Sequence, residues 1–216
     1  ILWDGYNTIA SQSTGQDTSF SAGVEAGTYT VWVDSSTYYD AGEYGLTVTS
    51  TAGNLSGVET ESNDSAATAD VLSSGKEIKG QLSSSSDRDV FSMTTTSAGT
   101  LKIDLDTPTN STGNYFGVIL WDGYNTIASQ STGQDTSFSA GVEAGTYTVW
   151  VDSSTYYDAG EYGLTVTSTA GNLSGVETES NDSFVTADKL IAGSKITGQL
   201  MSDQDWDVFS INIENS

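Results

Sequence analysis

Residues 1–65 recur without a single change as residues 119–183, an offset of 118 residues. The agreement then loosens but needs no gap. Of the 33 pairs that match Ala66–Ala98 with Phe184–Ser216, 15 are identical. A chain that copies itself at this spacing reads as two copies of one unit, less about one strand's worth of chain. The spacing is far longer than the roughly 20–50 residues of a solenoid repeat, and it suffices for a unit to bury its own core. The expected picture is beads on a string.

Within the unit, polar and apolar residues alternate with period two. Gly145–Asp152 (GTYTVWVD) and Leu101–Asp106 (LKIDLD) are the clearest runs, and Leu101, Ile103 and Leu105 share one face. Strands are expected near 77–82, 89–96, 100–106, 117–121, 125–131, 136–141, 145–152 and 161–168. Turn signals separate them, such as Asp122-Gly123. One short helical turn is expected over Asp64–Leu72. Short strands at this spacing predict an all-β fold, an antiparallel jelly-roll-like β-sandwich in a tandem repeat of about 118 residues. Trp121 and Trp150 lie in apolar strand patterns and are expected in the core. Trp206 replaces Arg88 in the other copy, which marks an exposed strand position.

The small, Gly-rich stretches at 51–57 and 169–175 read as linkers. The expected organisation is the C-terminal half of one unit (1–50), a linker (51–57), one complete unit (58–168), a second linker (169–175) and the N-terminal part of a third unit (176–216). The end pieces would lack the strand matching Leu101–Asp106, leaving an open edge that invites pairing.

Charge narrows the partners. The chain has 29 acidic and 6 basic residues and no histidine, for a formal charge of −23. Nucleic acid is excluded as a partner, because phosphate binding needs basic side chains; anionic membrane surfaces are disfavoured for the same reason. No run approaches the ~20 apolar residues of a membrane span, so no membrane insertion is expected. Such acidity fits bound divalent metal, or a saline habitat in which acidic surface keeps the protein hydrated. There is no cysteine, hence no disulfide framework. Without histidine as a base or cysteine as a nucleophile, the chain is not expected to be an enzyme.

One acidic pattern carries chemistry. Glu59, Glu61 and Asn63 alternate, so an extended segment projects all three from one face, with Asp64 at the turn beyond. Asp87 and Asp89 share a face at a strand start. The second copy repeats the set as Glu177, Glu179, Asn181 and Asp182, followed by Asp203, Asp205 and Asp207. Clustered carboxylates repel unless protonated or bridged by a cation, and an all-oxygen set suits Ca2+. The competing reading is solvated loop charge, with Asn63 or Asp64 capping the short helical turn.

The ordered motifs Glu59-Thr60-Glu61-Ser62-Asn63-Asp64, Ala69-Asp70, Ile78-Lys79-Gly80-Gln81-Leu82, Asp87-Arg88-Asp89-Val90-Phe91, Ala144–Val149 and Gly160–Val166 resemble the bacterial pre-peptidase C-terminal domain family. The collagen-binding domains of clostridial collagenases are similar. The resemblance spans the whole unit and implies jelly-roll sandwiches attached to secreted peptidases or strung through surface proteins. It also implies paired calcium ions where an acidic linker meets the sandwich. Glu59, Glu61, Asn63, Asp64, Asp87 and Asp89 then match ligand positions, and Tyr162 is the candidate counterpart of a family tyrosine ligand.

The resulting expectation is a calcium-stabilised spacer repeat of a large secreted or cell-surface bacterial protein, an adhesin stalk, whose partners are neighbouring copies of itself. The alternative is an accessory module of a secreted hydrolase that engages matrix protein or polysaccharide. The adjacent tyrosines of the 153–160 loop would serve that alternative, or else pack over a sheet edge.

Overall fold

The computed structural model describes residues 1–14, 17–35, 42–53, 55–107, 116–154, 160–171, 173, 175–179, 181–200 and 205–213. The tyrosine loop and Asp203 lie outside them. The strands, in chain order, are β1 (Leu2–Trp3), β2 (Thr8–Ala10), β3 (Thr30–Val31), β4 (Asp70–Val71), β5 (Glu77–Leu82), β6 (Arg88–Thr95) and β7 (Gly99–Asp106). They continue with β8 (Phe116–Trp121), β9 (Thr126–Thr132), β10 (Thr136–Val142), β11 (Gly145–Ser153), β12 (Gly160–Ala170), β13 (Asp188–Leu190) and β14 (Phe209–Ile211).

Residues 70–170 form a two-sheet sandwich. One sheet runs β10-β7-β12-β5 and the other β4-β6-β11-β8-β9. Counting the long strands from β5, the sheets read first–eighth–third–sixth and second–seventh–fourth–fifth, the strand order of a jelly roll. Pairing is antiparallel except where β4 joins β6 in parallel. The alternation seen in the sequence builds the core directly. Leu101, Ile103 and Leu105 of β7 and Leu164 and Val166 of β12 meet Phe91, Phe116, Val118, Leu120, Val149 and Val151 of the facing sheet in one buried cluster. The Asp122-Gly123 turn closes β8 onto β9. Asp122 Oδ1 accepts the amides of Tyr124 at 2.7 Å and Asn125 at 2.6 Å, and Gly123 takes a φ of 101°.

Three details depart from the sequence expectations. The stretch 64–72 makes a hydrogen-bonded turn, Thr68 N to Ser65 O at 3.0 Å, and then strand β4. Ser65 and Thr68 hydroxyls bond each other at 2.9 Å, a side-chain alternative to continuing a helix. Trp121 and Trp150 are half-buried on the outer face, not in the core. On β11 the inward positions go to Tyr147, Val149 and Val151, so the pleat turns Trp150 outward, where its ring centroid lies 5.1 Å from that of Trp121. Finally, β12 runs into the stretch read as linker, with Thr169 and Ala170 opposite Thr100 and Gly99. Glycine at 99 permits this, since a β-carbon there would collide with the Thr169 carbonyl. Arg88 and Trp206 are both exposed, as expected.

The flanking pieces form their own small sheets, β2-β1-β3 and β13-β14. Among the described residues, no strand of one piece pairs with a strand of the other.

Candidate metal centre

The segment from Val58 enters the sandwich beside β5. Val58 bridges Lys79 in parallel, and Glu59 N donates to Lys79 O at 3.0 Å. Asp70 fixes the same segment from the other side. Its carboxylate accepts Thr60 N at 2.7 Å, Thr60 Oγ1 at 2.6 Å and Asn63 Nδ2 at 3.4 Å. Asn63 O in turn accepts the amide of Val90 at 3.0 Å. Held this way, Glu59 and Glu61 converge with Asp89, near the start of β6, and carboxylate oxygens of all three lie within 4.8 Å of one another.

Glu59, Asn63 and Asp89 are buried. Glu59 Oε1 accepts the amide of Gln81, and Glu59 Oε2 and Asp89 Oδ2 both face the Tyr162 hydroxyl, at 3.1 and 2.5 Å. One hydroxyl hydrogen cannot serve both acceptors. Neither ion pair found among the described residues, Arg88–Asp152 and Lys102–Asp104, involves these carboxylates. Burial pushes Glu59 up to about 8, against the hydrogen bonds from Asp89 and the Gln81 amide that lower it, and burial with the charges of Asp89 and Asp87 pushes Glu61 up to about 9. Asp89 is raised well above the usual range by burial and by Glu59 and Asp87. Glycine at 80 makes room for the cluster, because a β-carbon there would strike the Tyr162 hydroxyl and the Glu59 carboxylate.

Asp87 and Asp64 stand farther out. Asp87 is half-buried, and its oxygens accept the amides of Ser83 at 2.5 Å and Arg88 at 3.0 Å. Burial raises its pKa, and Asp64 contributes to the shift. Asp64 is exposed at the turn. Of the six residues singled out in this copy, Glu59, Glu61 and Asp89 therefore form the cluster and Asn63 lies buried beside them. Asp87 and Asp64 supply charge at its rim.

The second copy rebuilds the arrangement. Glu177, Glu179 and Asp207 form the equivalent cluster, and Asn181 is buried beside it. Asp188 takes the place of Asp70, accepting Thr178 N at 2.8 Å and Thr178 Oγ1 at 2.6 Å. Asp182 is exposed, and Asp205 is half-buried. One difference is local. Asn181 Nδ2 donates to Glu177 Oε1 at 3.0 Å. Burial raises Glu177, and it takes Glu179 to about 7.

The chemistry of the donors tests the fit. Among the described residues, the buried side-chain oxygens or nitrogens without a hydrogen-bond partner are Glu61 Oε1, Asn63 Oδ1, Gln81 Oε1 and Asp89 Oδ1, then Glu179 Oε1, Asn181 Oδ1 and Asp207 Oδ1. All are oxygens at the two acidic sites. Buried oxygens normally find donors, and a set left with lone pairs only fits a hard cation. A cleft of about 550 Å³ runs past the first cluster, lined by Ile9 and Gly23 as well as Glu59, Glu61 and Tyr162. The sequence pattern passed over Asp70 and Gln81, which lie within the quoted motifs but carry no acidic alternation of their own.

No protein-family profile and no curated protein matches the sequence. Among solved structures, the chain is similar to the pre-peptidase C-terminal domain of a collagenase from Bacillus anthracis. That likeness has 24% identity and a TM-score of 0.39, over 45% of this chain and 93% of the other.

Proposed function

We propose that this chain is a calcium-stabilised structural repeat of a secreted or cell-surface bacterial protein, a stalk element of an adhesin, with no catalytic activity of its own. The observation that carries the reading is the recurrence, 118 residues apart, of a buried to half-buried Glu-Glu-Asp cluster with buried oxygens that have no donor. Glu59, Glu61 and Asp89, with Asn63, would hold the ion, and Glu177, Glu179, Asp207 and Asn181 would hold its counterpart. The ion supplies positive charge that allows buried carboxylates to ionise, and the protein supplies preorganised oxygens. The acidic surface and the lack of histidine and cysteine support a structural role over a catalytic one.

The test is calorimetric titration of the chain with Ca2+, together with melting with and without chelator. Micromolar-to-millimolar binding with a rise in melting temperature is expected, and Glu61→Gln should reduce both. No heat and no shift would leave salt adaptation as the better account of the acidity.

A second reading has one specific observation in its favour. The tilted Trp121–Trp150 pair, with the Arg88 guanidinium 4.7 Å from the Trp150 ring, forms an aromatic surface on the outer sheet. That surface suits a polysaccharide or matrix-protein ligand, and tryptophan fluorescence on titration with soluble glycans or collagen peptides would reveal it.

A further inference from the structure

We propose that the β10 edge of each unit is the docking site for the ligand-bearing segment of the next unit, so that the four-stranded sheets of successive units join through that segment. The proposal rests on the calcium reading only for the role of Glu177 and Glu179; the docking itself rests on backbone pairing.

β10 is the outermost strand of its sheet. Such an edge presents unpaired amides and carbonyls, and proteins cover or blunt it. Here Gly141 of β10 forms a parallel bridge with Thr178, while Val176 of the same segment bridges Thr197 of the following unit. The segment thus has a neighbour on each side, one from each unit. The same pair of bridges occurs at the preceding junction, Gly23 with Thr60 and Val58 with Lys79.

Side chains repeat the pattern. Gln199 Nε2 donates to Ser129 O at 3.0 Å, and its counterpart Gln81 Nε2 donates to Ser11 O at 3.3 Å. Both reach from a following unit to the backbone of the one before. The approach is close enough to demand glycine. A β-carbon at Gly141 would collide with the carbonyl oxygen of Glu177, and one at Gly23 would collide with that of Glu59. Neither glycine has a positive φ, so the constraint is proximity to the next unit.

The partner is therefore a second copy of this unit, received in one register. The residues that position the acidic cluster come from two units, because the segment bearing Glu177 and Glu179 is clasped between Gly141 and Thr197. Cation binding and docking then favour each other.

The chain has no cysteine, so nitroxide labels can be placed at Ser131→Cys and Lys189→Cys, both exposed and on opposite sides of the second junction. Pulsed electron–electron distance measurement on the full chain in chelator should give one narrow distribution. A broad distribution in chelator would overturn the proposal, whatever calcium then does. Adding Gly141→Val should broaden it, with circular dichroism checking that the sandwich remains folded. Gln199→Ala leaves residues 58–168 untouched and should broaden the distribution as well. If neither variant broadens it, the docking is refuted. A narrow distribution and a melting temperature that both ignore Ca2+ would sink the calcium reading and leave the docking standing.

Discussion

The Tyr162 hydroxyl lies 3.1 Å from Glu59 Oε2 across 103 residues of sequence, tying the last strand of the sandwich to the segment that enters it. Removing that hydroxyl takes away the one donor that Glu59 Oε2 and Asp89 Oδ2 share between them. Tyr162→Phe is therefore expected to cost about 1–3 kcal/mol in urea unfolding of the metal-free protein. Tyr44, the identical residue of the other copy, is 71% exposed, and Tyr44→Phe should leave the unfolding midpoint where it is.

The buried carboxylates set a pH dependence of definite sign. Glu59 and Glu61 have folded-state values of about 8 and about 9, above the ordinary 4.5. Groups raised on folding contribute stability that is fully present below pH 4.5 and is lost as pH rises through 8–9. The metal-free protein should thus melt progressively lower between pH 5 and pH 9, followed by circular dichroism in chelator. A flat profile would contradict the burial of these groups in their neutral form.

Calcium should reverse that trend by displacing protons. At pH 7 the Glu59 and Glu61 carboxyls, raised to about 8 and about 9, hold protons that an incoming cation must expel, so affinity should increase from pH 6 to pH 9. Calorimetry in buffers of different ionisation enthalpy measures the number released, and at least one proton is expected from the site that holds Glu59 and Glu61. Binding without proton release would mean that the ion sits elsewhere.

Substituting the charge without changing the shape separates the two roles. Glu61→Gln keeps the volume and removes a buried acid, so metal-free stability should change by no more than about 1 kcal/mol. The calcium-dependent rise in melting temperature should fall sharply. Asp89→Asn should behave in the same way, whereas exposed Asp64→Asn should alter calcium affinity only slightly.

Gly80 tests the packing around the cluster. An added methyl must displace the Tyr162 hydroxyl and the Glu59 carboxylate, and overpacking of this kind costs about 1–3 kcal/mol. Gly80→Ala should lower the denaturation midpoint accordingly, while Gly42→Ala, with open space around it, should not.

Much of the sandwich was legible in the sequence because its strands alternate so regularly that the inward residues of β7, Leu101, Ile103 and Leu105, could be read off directly. The acidic alternation likewise located Glu59, Glu61 and Asn63. What escaped depended on tertiary context. Trp150 reads as core because its neighbours are apolar, yet the pleat assigns alternate positions to opposite faces. Strand β4 is two residues long, and it exists because Asp70 and Val71 lie beside Phe91 and Ser92 of β6.

The limit is clearest in the duplicated tract. Leu164 is 0% exposed within β12, whereas the identical Leu46 is 54% exposed in a stretch with no strand. The two share every neighbour in local sequence. They differ in pairing: Leu164 lies between Ile78 of β5 and Leu105 of β7, whereas Leu46 has no strand partner among the described residues. Propensity proposes a strand there, and pairing decides it.

The junction contacts have a genetic consequence. Ser11–Gln81 and Ser129–Gln199 are the same contact displaced by one repeat length, and the 65-residue tracts on either side are identical. Unequal crossing-over between such tracts adds or removes chain in steps of 118 residues. Each step deletes or inserts a unit together with the interface that receives it, so every surviving boundary meets the partner for which it was built. The array can therefore be lengthened or shortened during inheritance without evolving a new interface, whereas an insertion of any other length would put a mismatched surface against the Gly141 edge.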